Sequence, residues 1–174
     1  MTIDVIITKF LQEKRINQVL PHVKGKLLDI GCGNNILVQK YGNGTGVDIH
    51  KYHSSVIVID NAAELPFNNT SYDSITMIAS LHYISNRIDT LKEVHRILKL
   101  DGKLIITDPE QHISKLWYRL RKKSEYYDHY KKKDKTFGFS IKEITDMLNS
   151  TGFETIYLKK FFFNLNRLII ARKK

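Results

Sequence analysis

Cysteine occurs once in these 174 residues, at Cys32, which excludes an internal disulfide and a thiolate zinc site. A reducing, cytoplasmic home is the matching expectation. No apolar run approaches the roughly 20 residues that a bilayer-spanning helix needs. The opening Met1-Thr2-Ile3-Asp4 has no basic start, and Asp4 and Lys9 interrupt its apolar residues, so no secretory signal is expected. There is no internal repeat and no second domain, and one domain over residues 1–174 is the expectation. No carboxylate pair suggests a metal, and none is expected.

Against these absences stands one compact stretch, Leu27-Leu28-Asp29-Ile30-Gly31-Cys32-Gly33-Asn34-Asn35. An apolar run that ends in an acid and a G-x-G turn reads as a buried parallel strand entering a nucleotide crevice. Glycine suits such a turn because a Cβ would block close approach of a ligand to the backbone. Ile36 to Tyr41 continues as a short helical pattern, and Gly46-Val47-Asp48 is a second strand ending in an acid, where a ribose diol can be held. A dinucleotide fingerprint needs a third glycine where this chain has Ile36. S-Adenosylmethionine (SAM) carries a sulfonium and an amino-acid tail instead of a pyrophosphate. Asp29 suits that cationic tail and would repel a phosphate. Cys32 reads as a small residue filling the turn rather than a catalytic thiol.

Residues 3 to 19 have apolar positions at near-helical spacing and predict an amphipathic helix over the cleft or the sheet edge, ended by Pro21 and Gly25. Thr45 to Ile49 is the second strand and Val56 to Ile59 the third. Only five residues separate them, too few for a crossover helix. The fourth strand runs from Ser74 to Ala79, a helix carries Leu91, Val94, Ile97 and Leu98 and closes at Asp101-Gly102, and the fifth strand is Lys103 to Thr107. Ser140-Ile141-Lys142-Glu143 is a capping box that starts a further helix. Phe153 to Leu158 and Arg167 to Arg172 form a closing antiparallel pair.

The net charge of +10 is uneven. Up to Pro109 twelve Lys and Arg face eleven Asp and Glu; from Glu110 onward sixteen face seven. In residues 110–137 the cations interleave with Trp117, Tyr118, Tyr126, Tyr127 and Tyr130 and end in Lys131-Lys132-Lys133. A phosphorylated or carboxylated small molecule, RNA, or a peripheral contact with an acidic membrane could each exploit that segment, and so could plain solvation. The preferred reading is a lid that recognises the acceptor.

In their order, Leu28-Asp29-Ile30-Gly31-Cys32-Gly33, Gly46-Val47-Asp48, Ala63-Glu64-Leu65-Pro66-Phe67, Tyr72-Asp73, Leu81-His82-Tyr83, Glu93 to Lys99 with Gly102, and Thr151-Gly152-Phe153 resemble the class I SAM-dependent methyltransferases. The likeness is to the small-molecule group that includes the quinone-biosynthesis enzymes. It implies an α/β Rossmann-like fold with a seven-stranded, mostly parallel sheet whose last strand is antiparallel. It further implies SAM as cofactor. Asp29, Gly31 and Gly33, with Cys32 between the glycines, would approach the methionine half. Asp48, followed by Ile49, would take the ribose hydroxyls. Asp60 or Asn61 would meet the adenine amine, Ala62 would offer its N–H to the ring, and Ala79 its carbonyl to the amino tail. Asn35 departs from the family's last glycine.

Methyl transfer from a sulfonium is an in-line displacement, so the protein must mainly orient and desolvate. An oxygen acceptor also needs a base, and His82, at the exit of the fourth strand, is the first candidate. The alternative is a structural histidine. Glu110, His112 and Tyr126 are weaker candidates. The turn after the fourth strand lacks the N/D-P-P-Y/F pattern of nucleobase-amine methylation, and a single thiol argues against arsenite methylation. The sequence therefore predicts methylation of a small or medium-sized acceptor, preferably at oxygen. RNA is the alternative acceptor, and a catalytically silent partner subunit is the rival from another class. Oligomeric state is left open.

Overall fold

A computed structural model describes residues 3–110 and 138–174. The basic segment singled out above, apart from Glu110 at one end, lies outside the described residues. The chain runs through α1 (Ile3–Val19), β1 (Leu27–Ile30), α2 (Ile36–Tyr41), β2 (Gly44–Asp48), β3 (Ile57–Val58), β4 (Tyr72–Ile78), α3 (Arg87–Ile97), β5 (Leu98–Pro109), α4 (Ile141–Ser150), β6 (Phe153–Phe161) and β7 (Asn166–Lys173). The seven strands lie in the order β3-β2-β1-β4-β5-β7-β6. All neighbouring pairs from β3 to β5 are parallel, and β7 is antiparallel to both β5 and β6. The strand order reverses direction between β1 and β4, the switch point where α/β sheets open a ligand crevice.

The two-residue period of the strands builds two cores. Leu28, Ile30, Ile75, Met77, Leu104, Ile106, Ile169 and Ala171 point to the face covered by α3 and α4. Leu27, Ile105, Leu168 and Ile170 point to the other, with Ile16, Val19, Leu37 and Val38 of α1 and α2. Asp29 and Thr76 share this second face, where their neighbours in sequence are apolar on the first.

Ser140 caps α4 as its sequence predicts: its hydroxyl accepts from Glu143 N–H at 3.1 Å, and the Glu143 carboxylate accepts from Ser140 N–H at 2.6 Å. Several boundaries differ from the sequence reading. The helix carrying Val94 stops at Ile97, and Asp101-Gly102 lies inside β5 instead of closing it. The reason is a bulge: Tyr72 pairs with Leu98 while Ser74 already pairs with Lys103, so the strand makes an excursion through Asp101, which has φ +59°. The third strand shortens to Ile57–Val58 because its only sheet partner among the described residues is the C-terminal end of β2. No helix intervenes between β2 and β3, as the five-residue spacing requires.

Glu93 and Arg96, one turn apart on α3, clamp the loop that follows β3. Glu93 Oε1 accepts from Leu65 N–H at 2.8 Å and from Arg96 at 2.7 Å, and Arg96 donates to the carbonyls of Leu65 and Phe67. This explains why the two sequence pieces occur together. The Arg96 hydrogen bond holds the Glu93 carboxyl below its usual range. A depressed acid stabilises the fold above its unfolded value and loses that contribution as pH falls through the lower folded one. Glu93→Gln is therefore expected to cost roughly 1–2 kcal/mol at neutral pH, with the difference closing below about pH 4. Urea denaturation at both pH values measures it, and an equal penalty at both would contradict the charge-based account.

Candidate active site

Three strand exits, those of β1, β2 and β4, meet around the glycine turn. The turn is closed by backbone bonds: Gly31 and Cys32 N–H both donate to Val47 O, at 2.9 and 3.1 Å, and Asn35 N–H donates to Cys32 O at 3.0 Å. Gly33 N–H donates to Asp48 Oδ2 at 2.9 Å, and His50 N–H to Asp48 Oδ1 at 3.2 Å. These N–H groups are thus spent, and Asp48 places a carboxylate against the Gly33 amide where a pyrophosphate would need a donor. Each Asp48 oxygen accepts one of these bonds and keeps a further lone pair.

The two glycines differ in purpose. A Cβ on Gly31 would lie 2.5 Å from the Ser80 Cβ, so what Gly31 admits is the exit of β4 rather than a ligand. Ser80 Oγ then donates to Ile30 O at 2.8 Å, locking β4 to β1. Gly33, at φ +53°, has nothing within 4 Å of its Cβ position and faces open space. Asn35 takes the place of a third glycine at φ +60°, a left-handed conformation that Asn tolerates best among side-chain-bearing residues. Its amide lies over Gly46, where any Cβ would collide with it, and donates to Ser55 Oγ at 2.8 Å.

Asp29 is buried beneath this turn, its Oδ1 accepting from Thr76 Oγ1 at 2.6 Å. No cation pairs with it among the described residues. Desolvation pushes its carboxyl up to about 7, Thr76 opposes the shift and Asp48 adds to it. Burial, with the same two acids nearby, also pushes the Cys32 thiol up, so it is no nucleophile. The set of side chains is therefore acidic and accepting, lacks a cation among the described residues and opens over Gly33. It fits SAM, whose sulfonium and ammonium are cationic and whose ribose needs acceptors, and it opposes a dinucleotide.

Ile49, beside Asp48, is 54% exposed at this opening. Asp60 is exposed after β3, and Ala62 is buried. Asn61 Oδ1 is already engaged, accepting from Ala63 N–H at 3.0 Å and from the Asn86 amide at 2.9 Å. Ala79 has φ +51° and its N–H donates to Thr107 O, so β4 leaves the sheet by a strained residue.

His82 sits in the 3-10 turn Leu81–Tyr83 that follows, and it is buried. Its Nδ1 is 3.0 Å from Oδ1 of Asp108, near the end of β5. A carboxylate only accepts, so Nδ1 carries the proton and Nε2 is the basic atom of the neutral ring. Asp108 Oδ2 accepts from Arg167 at 3.0 Å, and Arg167 also donates to the carbonyls of Pro109 and Phe139. Glu110 is drawn to the same group, 3.0 Å from Lys160 and 3.9 Å from Arg167 Nε. His112 and Tyr126 lie outside the described residues. Asp108 and Arg167 were missed by sequence reasoning, which saw only strand ends. The available signal was a lone arginine heading the apolar run Leu168-Ile169-Ile170-Ala171.

The chain resembles an uncharacterized protein of Methanocaldococcus jannaschii at 27% identity, covering 89% of this chain and 78% of that one. It also resembles the demethylmenaquinone methyltransferase of Bacillus cereus at 27% identity, covering 91% and 81%. In fold it is similar to a SAM-dependent methyltransferase of Thermotoga maritima described as a possible histamine N-methyltransferase, with TM-score 0.71, 21% identity and coverage of 92% and 89%. Residues 7–158 match the family described as a methyltransferase domain, and the chain belongs to that family, as an enzyme whose cofactor is S-adenosylmethionine.

Proposed function

We propose that the enzyme methylates a hydroxyl oxygen of a small or medium-sized acceptor, with His82 as the base. The observation that carries this is the buried His82–Asp108 pair, which orients the imidazole and leaves Nε2 to take a proton. The cofactor supplies a methyl group made electrophilic by its sulfonium. The acceptor oxygen would lose its proton to Nε2 as its bond to the methyl carbon forms and the methyl–sulfur bond breaks, the sulfur leaving as a neutral thioether, and Asp108 would balance the imidazolium charge. Asp29 holds the cationic amino tail, with the Ala79 carbonyl beside it. Gly31, Cys32 and Gly33 line the methionine side, Asp48 accepts from the ribose hydroxyls, and Ile49 packs on the adenine. For the adenine amine, Asp60 is better placed than Asn61, whose oxygen is already shared between two donors. Ala62 offers its N–H to the ring.

Residues 110–137 recognise the acceptor in this proposal. Glu110, which opens the segment, lies by Arg167 and Lys160, and Phe139, two residues beyond its end, is bonded to Asp108 and Arg167 of the same cluster. The B. cereus relative is named for demethylmenaquinone, which supports an apolar, planar acceptor.

The test is methyl transfer from labelled SAM to separate panels of hydroxylated metabolites, amines and RNA, with the product's methyl position read by mass spectrometry. Product carrying the methyl on oxygen is expected. Incorporation into amines, carbon or RNA alone would dismiss the oxygen reading. Independently, Asp48→Ala is expected to weaken SAM binding by roughly 1.5–3 kcal/mol, since charge-assisted hydrogen bonds are lost. Calorimetry showing unchanged affinity would remove Asp48 from the site.

A further inference from the structure

The connection between β6 and β7 is an aromatic tip in an unfavourable conformation. Phe162, Phe163 and Asn164 have φ of +50°, +54° and +60°. Such a run suits Gly, Asn or Asp, and bulky side chains are outliers there. Phe162 turns inward, its ring 5.6 Å from that of Phe10 on α1 and 5.3 Å from that of Phe163. Phe163 itself is 86% exposed, more than any other large apolar side chain among the described residues. Phe10 is 45% exposed and Ile6, one helical turn earlier, 49%. Folding alone gains nothing from holding these groups in water, and a strained turn that does so points to use.

Cations border the patch, Lys14 in direct contact and the others by their place in the chain, Lys160 being paired with Glu110. Lys9 and Lys14 flank Phe10 on α1, with Lys14 Nζ 5.1 Å from its ring centroid, and Lys159 and Lys160 lie on the strand leading into the tip. Glu13 and Glu110 are the acids nearest in the chain and along the pairing. The tip stands at the C-terminal edge of the sheet: Pro109 pairs with Asn166, and Glu110 N–H donates to Leu165 O at 3.0 Å. It is therefore beside the His82–Asp108–Arg167 cluster, not at the far end of the molecule.

We propose that this tip docks the enzyme on an anionic lipid surface, with Phe163, Phe10 and Ile6 entering the headgroup and acyl boundary and the lysines meeting the lipid phosphates. Apolar side chains bordered by lysine are what such a surface recognises, and neither half alone gives stable attachment. A second copy of this chain is disfavoured as the occupant, because a two-fold contact would bring like charges together in a chain of net charge +10. Docking does not depend on which atom is methylated, so it stands or falls apart from the oxygen reading.

The experiment is cosedimentation of the full chain with vesicles of phosphatidylcholine alone or with about one third phosphatidylglycerol. Wild type is expected to bind the anionic vesicles and to leave them as salt rises. Phe163→Ser should reduce binding by roughly tenfold or more, with melting temperature and SAM affinity unchanged. Replacing Lys9 and Lys14 by serine should reduce binding to anionic vesicles. In Phe163→Trp made together with Trp117→Phe, so that the introduced indole is the one tryptophan, emission should be that of exposed tryptophan in buffer and move to shorter wavelength with vesicles. Four results would each overturn the proposal. Wild type could fail to sediment, or Phe163→Ser could bind equally. The introduced indole could already be shielded in buffer, with the chain's own residues covering the tip. Phe163→Ser could abolish self-association or RNA retention in a protein that ignores vesicles.

Discussion

His82→Ala should lower turnover by ~10²–10⁴-fold while leaving SAM affinity nearly intact. The expectation rests on where the side chain is held. Its Nδ1 is tied to Asp108, and Asp108 is tied to Arg167 and backs onto β7, so Nε2 has a fixed direction. Asp108→Asn is the companion variant. An amide can present its oxygen or its NH₂ to Nδ1, so the tautomer is no longer dictated and turnover should fall while the acceptor KM changes little. Because Asp108 also partners the buried Arg167, this variant needs its melting temperature measured alongside. The base assignment is wrong if His82→Ala loses SAM affinity and rate in equal measure, since that pattern belongs to a histidine that only shapes the cofactor site.

What the sequence makes legible is local. The strand, glycine turn and helix at Leu27–Tyr41 are one continuous segment, and the acids that end β1 and β2 announce themselves by type and spacing. The capping box at Ser140 and the missing crossover between β2 and β3 are read the same way, from a few neighbouring residues. The resemblance in motif order carried the seven-stranded architecture with its antiparallel last strand.

Other features depend on long-range register and were not legible. Gly31 looked like a ligand's glycine, yet it is Ser80, nearly fifty residues away, that occupies the space a Cβ would need. Asp108 looked like the end of a strand, and only its pairing opposite Arg167 across β5 and β7 makes it the partner of His82. The start of β5 was misplaced because a bulge does not change composition. Asn35, a departure from the family's glycine, proves compatible with the turn because it adopts the glycine's left-handed conformation.

Asp29→Asn is expected to stabilise the SAM-free protein at pH 8 and to weaken SAM binding at the same time. Desolvation raises the Asp29 carboxyl to about 7 from an ordinary 3.8. The sign follows from proton counts. Between about pH 4 and pH 7 the folded chain keeps a proton that the unfolded chain has released, so stability falls as pH rises through that window and levels off above it. A shift of roughly three units corresponds to about 4 kcal/mol, an upper figure because Thr76 can keep its hydrogen bond in either state. Asparagine carries no charge to desolvate, so the variant should lose this slope. At pH 5 the two proteins should melt within a few degrees of each other. At pH 8 the variant should melt higher, by roughly 2–4 °C for each kcal/mol recovered. Binding runs the other way. An ammonium or sulfonium beside Asp29 favours the ionised carboxylate, so wild-type affinity for SAM should rise with pH up to about 7 and then flatten, and binding below that pH should release a proton. The variant should bind more weakly and without that dependence. Denaturation at the two pH values and calorimetry in buffers of different ionisation enthalpy test both halves. A variant that is less stable at pH 8, or that binds SAM as tightly as wild type, would show that Asp29 is a structural acid and that the buried charge is not kept for the cofactor.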